Sequence, residues 1–205
     1  MMSHPKHARP DHQILDVIRH RWSPRAFDPD RAVARTDLMR LFEASRWAPS
    51  SRNEQPWRFV VADRHEAPEA FAAFAGTLKG KNPDWAASAS AIVLVAVRTT
   101  LERDETENRS AMYDTGQAVG FLTLQATAMG LAVRQMAAFD RVRVGQIADV
   151  PQPFEPVVMM AVGYVGDPAR LTDRAHRESE GQPRARRPIG DFVFDSKWGR
   201  RLTSD

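Results

Sequence analysis

The chain has 205 residues, of which 42% are hydrophobic and 27% are charged, a composition typical of one globular domain with a substantial core. It contains no cysteine and no apolar run long enough to cross a bilayer, which excludes disulfides, cysteine-ligated metals and a transmembrane helix. The net charge of +3 is small, so anion binding depends on how the basic residues cluster. Redox chemistry would need a bound cofactor, because no thiol is available.

The start of the chain and its histidines suggest neither export nor metal binding. Residues 1–13 are polar and lack the apolar segment of a secretion signal, so we expect a cytoplasmic protein without a membrane partner. The six histidines show no metal-binding spacing such as HExxH, and we expect no metal site. We expect a single domain over residues 1–205, with a flexible tail at 1–11 and a C-terminal arm at 184–205. Three large apolar residues of this arm are expected to dock on the body or on a partner subunit: Phe192, Phe194 and Trp198.

Apolar periodicity predicts alternating helices and strands. Residues at helical spacing predict helices over 12–20, 36–47, 66–78, 111–129 and 140–148. Short runs rich in β-branched residues predict buried strands over 57–62, 91–97, 131–139 and 157–166. Thr36 and Asp140 are the expected N-caps. The chain lacks GxGxxG, Walker and GxSxG motifs, which argues against a Rossmann unit, a P-loop enzyme and a serine hydrolase.

Two segments around the longest predicted helix also carry information. The charged stretch LERDETENRS, residues 101–110, predicts a mobile surface loop or the edge of a lid. Within the helix, Gly116 and Gly120 are four residues apart, a spacing that allows close helix approach and indicates a buried helix or a subunit interface.

The stretch WAPSSRNEQPWRFVVA, residues 47–62, is the strongest candidate for a ligand-binding segment. Its polar side chains donate and accept hydrogen bonds, and its prolines limit backbone freedom that binding would otherwise have to freeze. The residues concerned are Pro49, Ser50, Ser51, Asn53, Gln55 and Pro56. An ordinary turn has a similar composition and is the alternative. Trp47 and Trp57 are expected to anchor the segment in the core.

A second candidate segment is RWSPRAFDPD, residues 21–30. Arg21, Ser23 and Arg25 occupy alternate positions, so in an extended chain all three side chains point the same way. Two guanidinium groups with a hydroxyl would bind an anion or a carbonyl oxygen. A solvated basic loop is the alternative.

Together these segments resemble the FMN-dependent nitroreductase family. RWSPRAFDPD resembles that family's Arg-x-Ser-x-Arg-x-Phe motif, and WAPSSRNEQPWRFVV resembles its APSxxNxQPW motif. GLAVRQMAAFD and FEPVVMMAVGYVGDP resemble its closing strand and return segment, and RARRP at 184–188 resembles its basic C-terminal motif. The resemblance implies an α+β fold, with a central and mostly antiparallel sheet flanked by helices. It also implies an intertwined homodimer with FMN at the interface.

The resemblance implies a set of FMN contacts. From one subunit, Arg21, Ser23 and Arg25 would contact the phosphate and the isoalloxazine edge, while the other subunit would supply the serine side of the 48–56 loop. Arg184 and Arg186 would hold the phosphate, although a solvated charge run is the alternative. The full set is Arg21, Trp22, Ser23, Arg25, Pro49, Ser50, Ser51, Asn53, Gln55, Gln135, Met136, Ala137, Ala138, Arg184 and Arg186.

The segment from Arg134 to Ala138 would run along the flavin, where a backbone N–H can reach N5. Some family members have a glutamate and a glycine near its end, whereas this chain has Ala137 and Ala138. A backbone donor survives that change, but the pocket is less acidic, which leaves the substrate preference open. The short 101–110 segment implies an open site.

The implied activity is hydride transfer from NAD(P)H through flavin N5 to a small conjugated electrophile, such as a nitroaromatic or a quinone. The cycle would have two steps and need no catalytic side chain, since the flavin carries the electrons. Alternatives within the fold are flavin fragmentation, dehalogenation, enoate or aldehyde reduction, and a non-enzymatic flavin-binding module. A nucleic-acid partner is not expected, because no aromatic residues are interleaved with the basic 184–188 cluster.

Overall fold

A computed structural model describes residues 4–202 of the chain. The helices of this part are α1 Asp16–His20, α2 Arg35–Arg46, α3 Pro68–Ala75, α4 Pro83–Ala86, α5 Ala111–Ala128, α6 Arg141–Ile147 and α7 Arg174–Gly181. The strands are β1 Trp57–Asp63, β2 Ala91–Arg98, β3 Ala132–Met136 and β4 Phe154–Gly163. Short 3-10 helices occupy Ser51–Asn53, Pro168–Arg170 and Ile189–Asp191.

The four strands form one antiparallel sheet in the order β1-β2-β4-β3. β2 lies between β1 and β4, and its residues from Ala91 to Val97 are all buried. This explains why β2 is a continuous apolar run, since both of its faces are covered. The predicted α+β fold, with an antiparallel sheet flanked by helices, is confirmed.

Alternation along β2 divides the core between the two faces of the sheet. Ile92 and Leu94 pack in a cluster that includes Phe71 and Phe74 of α3. Val93 and Val95 point the other way and pack with residues of α2 and α5. Because successive strand residues face opposite sides, one short strand organises both helical layers.

Most predicted elements are present, and local chemistry explains the shifts in their ends. Thr36 is wrong as the N-cap of α2: the N–H groups of Asp37 and Leu38 donate to Ala34 O, so Ala34 is the cap residue. Asp140 is confirmed as the N-cap of α6, because its carboxylate accepts from the Arg143 N–H at 3.0 Å.

Prolines move two further boundaries. α3 begins at Pro68, later than predicted, because proline is favoured in the first turn of a helix. β4 begins before the predicted strand and includes Pro156, at the register shift between Val95 and Ala96. Proline is tolerated in a sheet at such irregularities, so the strand begins at Phe154 and not at residue 157 as predicted.

Trp47 and the C-terminal arm depart from the predicted burial. Trp57 is buried as expected, but Trp47 is 70% exposed and is not a core anchor in this chain. Trp198 is 93% exposed and Phe192 is 61% exposed, so these two rings do not dock on the body. Docking on a partner stays a prediction.

The first residues of the described part contact α1 and the segment that follows it. The Ala8 N–H donates to Arg19 O at 2.8 Å, and the His4 ring stacks on Trp22 with centroids 5.2 Å apart. Whether residues 4–11 move as a flexible tail stays a prediction, and residues 1–3 lie outside the described part. No helix within residues 4–202 is both long and apolar enough to span a membrane.

Candidate active site

The segment after α1 places one of its two guanidinium groups beside the Ser23 hydroxyl. Arg21 Nη1 donates to Ser23 Oγ at 2.9 Å. The third residue, Arg25, has another partner: its Nη1 donates to Ser179 Oγ of α7 at 3.2 Å. The three side chains are therefore neighbours along the chain, but Arg21 and Arg25 make contacts with different parts of the molecule.

The C-terminal arginines lie against this segment. Arg184 Nη1 donates to Arg21 O at 2.5 Å, and its Nη2 donates to Arg19 O at 3.0 Å. Burial and then the charge of Arg186 lower the pKa of Arg21, while burial, Arg21 and Arg186 lower that of Arg184. The structure thus brings together two predicted motifs that lie about 160 residues apart in sequence.

These arginines form an uncompensated positive cluster. No ion pair within the described part of the chain includes Arg21, Arg184 or Arg186. The three residues line one cleft of about 620 Å³ together with Arg9, Arg187 and one carboxylate, Asp11, which pairs with none of them. Grouped guanidinium groups without carboxylate partners are suited to binding a phosphate.

Arg134 of β3 also contacts the segment, although sequence reasoning did not include it in the contact set. Its Nη1 donates to Ser23 O at 2.6 Å, and its guanidinium lies 5.2 Å from the centroid of the Trp85 ring. Burial, followed by the charge of Arg25, lowers the pKa of Arg134 to about 10. The sequence did contain an indication of this role: Arg134 is a charged residue between Ala132 and Met136, which face the core on the same side of the strand.

The residues after Arg134 present both backbone and side chains at the surface. Gln135, Ala137 and Ala138 are exposed, whereas the side chain of Met136 is buried in the core. Met136 could therefore contact a ligand only through its backbone. Ala138 O accepts from the Lys79 N–H at 2.9 Å. Outside the β ladders of the described part, the N–H groups of Ala137 and Ala138 donate no hydrogen bond, which leaves them available to a ligand.

The loop before β1 has a strained backbone. Arg52, Asn53 and Gln55 all have positive φ angles, of 54°, 60° and 45°. Ser50 Oγ accepts from the Gln55 N–H at 3.1 Å and closes the loop. Non-glycine residues adopt such angles only where surrounding contacts enforce them, and they concentrate at ligand sites.

Two carboxylates join this loop to neighbouring parts of the chain. Asp114 of α5 is buried, and its Oδ2 accepts from the Ser51 N–H at 3.0 Å. The buried carboxylate of Asp114 therefore has a hydrogen-bond donor. Glu54 Oε2 accepts from the Glu102 N–H at 3.0 Å, which ties the loop to the 101–110 segment. The exposed side chains of Ser51 and Asn53 remain at the surface, next to exposed Pro49.

The predicted contacts fall into two groups within one chain. The loop precedes β1, whereas Arg134 lies on β3, and these are the two edge strands of the sheet. Three strand spacings separate the edge strands, which amounts to about 14 Å. No hydrogen bond of residues 4–202 joins the 48–56 loop to Arg21, Arg25 or Arg184.

Comparison with known proteins places this geometry in a family. A model of the nitroreductase family matches residues 18–164, which include the 21–30 segment and the 48–56 loop. The chain is 35% identical over 151 residues to an "uncharacterized 15.4 kDa protein in ask 5'region" of Mycolicibacterium smegmatis. That alignment covers 71% of this chain and 99% of the relative.

Two further similarities concern flavin proteins. The chain is 29% identical over 94 residues to the "Major NAD(P)H-flavin oxidoreductase" of Aliivibrio fischeri, covering 46% of this chain and 43% of that enzyme. The chain thus matches less than half the length of this relative. A crystal structure described as "the oxidoreductase containing FMN" superposes with a TM-score of 0.87 at 28% identity, covering 94% of this chain and 96% of that one. The chain therefore belongs to the nitroreductase family, as its sequence predicted, and is an oxidoreductase of that family.

Proposed function

We propose that this chain transfers hydride from NAD(P)H, by way of bound FMN, to a small conjugated electrophile such as a nitroaromatic or a quinone. The oxidised nicotinamide would leave before the acceptor enters, in a two-step cycle. The observation that carries the proposal is the cluster of Arg21, Arg184 and Arg186, which forms no ion pair within residues 4–202 and offers a phosphate several donors. The named flavin relative and the FMN-containing structure support the choice of cofactor and electron donor. We further propose a cytoplasmic location, as expected from the sequence.

The residues present fit FMN. Arg184 Nε is buried and has no acceptor among the described atoms, so a phosphate oxygen would satisfy a donor that the protein leaves unpaired. Ser23 Oγ adds a hydroxyl beside Arg21. Bound FMN would supply the electron chemistry, by accepting a hydride at N5 and passing it on.

The other groups of the chain would orient the ring and its charge. Arg25 would lie near the pyrimidine edge, where fixed positive charge stabilises negative charge that develops on reduction. The N–H groups of Ala137 and Ala138 would face N5. No side chain is assigned as a catalytic acid, so the proton would come from solvent.

We also propose that the working form is a homodimer with FMN at the interface. A single chain places the 48–56 loop and the arginine cluster at opposite edges of the sheet, so a second copy is the direct way to bring both to one flavin. α5 offers a surface for that contact. Along this helix, Tyr113 and Phe121 are exposed, and Gly116 and Gly120 have open space beside them.

An anaerobic titration of FMN-loaded protein with NADH and then NADPH tests the function. Loss of the oxidised flavin absorption with one equivalent of nicotinamide is the expected result. FMN alone under the same conditions is the control. Flavin that stays bound and oxidised would favour a non-enzymatic or oxygen-dependent role, and absence of FMN binding would overturn the site.

A further inference from the structure

α7 places a buried carboxylate directly behind the 21–30 segment. Glu180 is only 4% exposed, and its two oxygens accept from the Arg25 N–H at 3.2 Å each. Oε2 also lies 3.4 Å from the Ala26 N–H. A buried carboxylate is costly unless hydrogen bonds and opposite charges compensate it, so this arrangement fixes the backbone at Arg25 and Ala26.

Three cations surround this carboxylate. Burial lowers the pKa of Lys6 whereas Glu180 raises it, and the same two influences act on Arg134, with Arg25 lowering it further. Lys6 Nζ donates to Ser179 O, and Arg25 Nη1 donates to Ser179 Oγ at 3.2 Å. One anion thus offsets part of the charge of three cations contributed by three distant parts of the chain.

We propose that Glu180 is a positioning residue for the flavin. It would hold the Arg25 backbone so that this guanidinium meets the isoalloxazine edge, and it would moderate the positive charge at that edge. The inference rests on the proposed function and extends it, because Glu180 lies beyond residues 18–164, the part that matches the family.

Glu180→Gln tests the proposal, because it keeps the side-chain shape and removes the charge. Glu178→Gln is the matched control: Glu178 lies on the same helix, is exposed and pairs with Arg174 at 2.7 Å. Two quantities are measured, the Kd of FMN and the midpoint potential of bound FMN. For Glu180→Gln we expect at least about tenfold weaker FMN binding, the scale for loss of a hydrogen bond to a charged group. We also expect a more positive potential, since the negative charge behind Arg25 is gone.

Glu180→Asp separates charge from length. It keeps the carboxylate but draws it back by one methylene, so the potential should return toward the wild-type value while FMN binding stays weaker. A residue that served folding alone would lower stability and leave the potential of bound flavin unchanged. Glu180→Gln protein that matches Glu178→Gln in both Kd and potential would overturn the proposal. If Glu180→Gln does not fold, a wild-type Kd for FMN in Glu180→Asp would also overturn the proposal.

A cofactor-free measurement keeps this inference distinct from the proposed function. Amide hydrogen exchange at Arg25 and Ala26 should be faster in Glu180→Gln than in Glu178→Gln, with β2 unchanged in both. Equal exchange rates would contradict the positioning role, whether or not the protein binds FMN. If the wild-type protein binds no FMN and the two variants still differ in exchange, the proposed function is contradicted. The role of Glu180 in holding the backbone at Arg25 and Ala26 is not.

Discussion

The arginines in and around the candidate site differ in how many hydrogen bonds fix them in place. Arg25 is tied to α7 through both its backbone and its side chain, whereas Arg52 is exposed at the tip of the 48–56 loop. A fixed guanidinium costs less conformational entropy when it binds a ligand than a free one does. Arg25 is therefore better prepared than Arg52 to contact a flavin.

This difference gives a prediction for two alanine variants. Arg25→Ala should weaken FMN binding by about 10-fold to 100-fold, the equivalent of about 1.5–3 kcal/mol for a charged hydrogen bond. It should also slow flavin reduction, while Arg52→Ala should change both quantities little. Fluorescence titration of FMN and stopped-flow reduction measure the two effects. Equal behaviour of the variants would contradict the site assignment.

Among the elements, β2 is buried on both faces, so its apolar side chains should contribute strongly to stability. Leu94 has no exposed surface and packs in the cluster that includes Phe71 and Phe74. Leu94→Ala should therefore lower the free energy of unfolding by about 2–5 kcal/mol. Urea unfolding measures the loss, with Val142→Ala on the surface of α6 as the control. A loss as small as that of the control would mean that the site repacks without a cavity.

The start of α7 gives a pH prediction. The Lys81 ammonium first, and the His176 N–H second, hold the pKa of Asp173 at about 2, below its usual value. A depressed pKa stabilises the fold above the unfolded-state pKa, and this contribution is lost as the pH falls through the folded-state value. We therefore expect wild type to exceed Asp173→Asn in Tm near neutral pH, and the difference to vanish between about pH 4 and about pH 2. Thermal scans across that range test this, and a difference that stays constant with pH would contradict it.

For the whole molecule, two observations favour the homodimer proposed above: the exposed Tyr113 and Phe121 of α5, and the location of the 48–56 loop and Arg134 at opposite edges of the sheet. A glutamate at an interface formed by Phe121 would be desolvated without a partner, at a cost that prevents close association. Phe121→Glu should therefore convert a dimer into monomers and abolish FMN binding.

Light scattering after size exclusion, together with FMN titration, measures both results. Val142→Glu is the control, because Val142 is an exposed apolar residue on α6, away from the proposed interface. Dimeric Phe121→Glu protein with normal FMN binding would place the interface elsewhere on the molecule.

The sequence by itself determined most of the elements and the family, but it did not predict α4 or α7. The β-branched run of β2, the aromatic pair Phe71 and Phe74 and the N-cap Asp140 act through neighbours a few residues away, so their patterns are readable without coordinates. Motif order likewise identified the 21–30 segment and the 48–56 loop, and the family match includes both.

Only the tertiary structure decided which charges meet and which aromatic rings are exposed. Arg134 contacts Ser23 across 111 residues, Glu180 contacts Arg25 across 155 and Arg184 contacts Arg21 across 163. No local periodicity encodes such pairs, because they depend on how the sheet and α7 pack. The exposure of Trp47 was likewise not readable from the sequence, because it depends on the position of the residue after α2 and not on its apolar character.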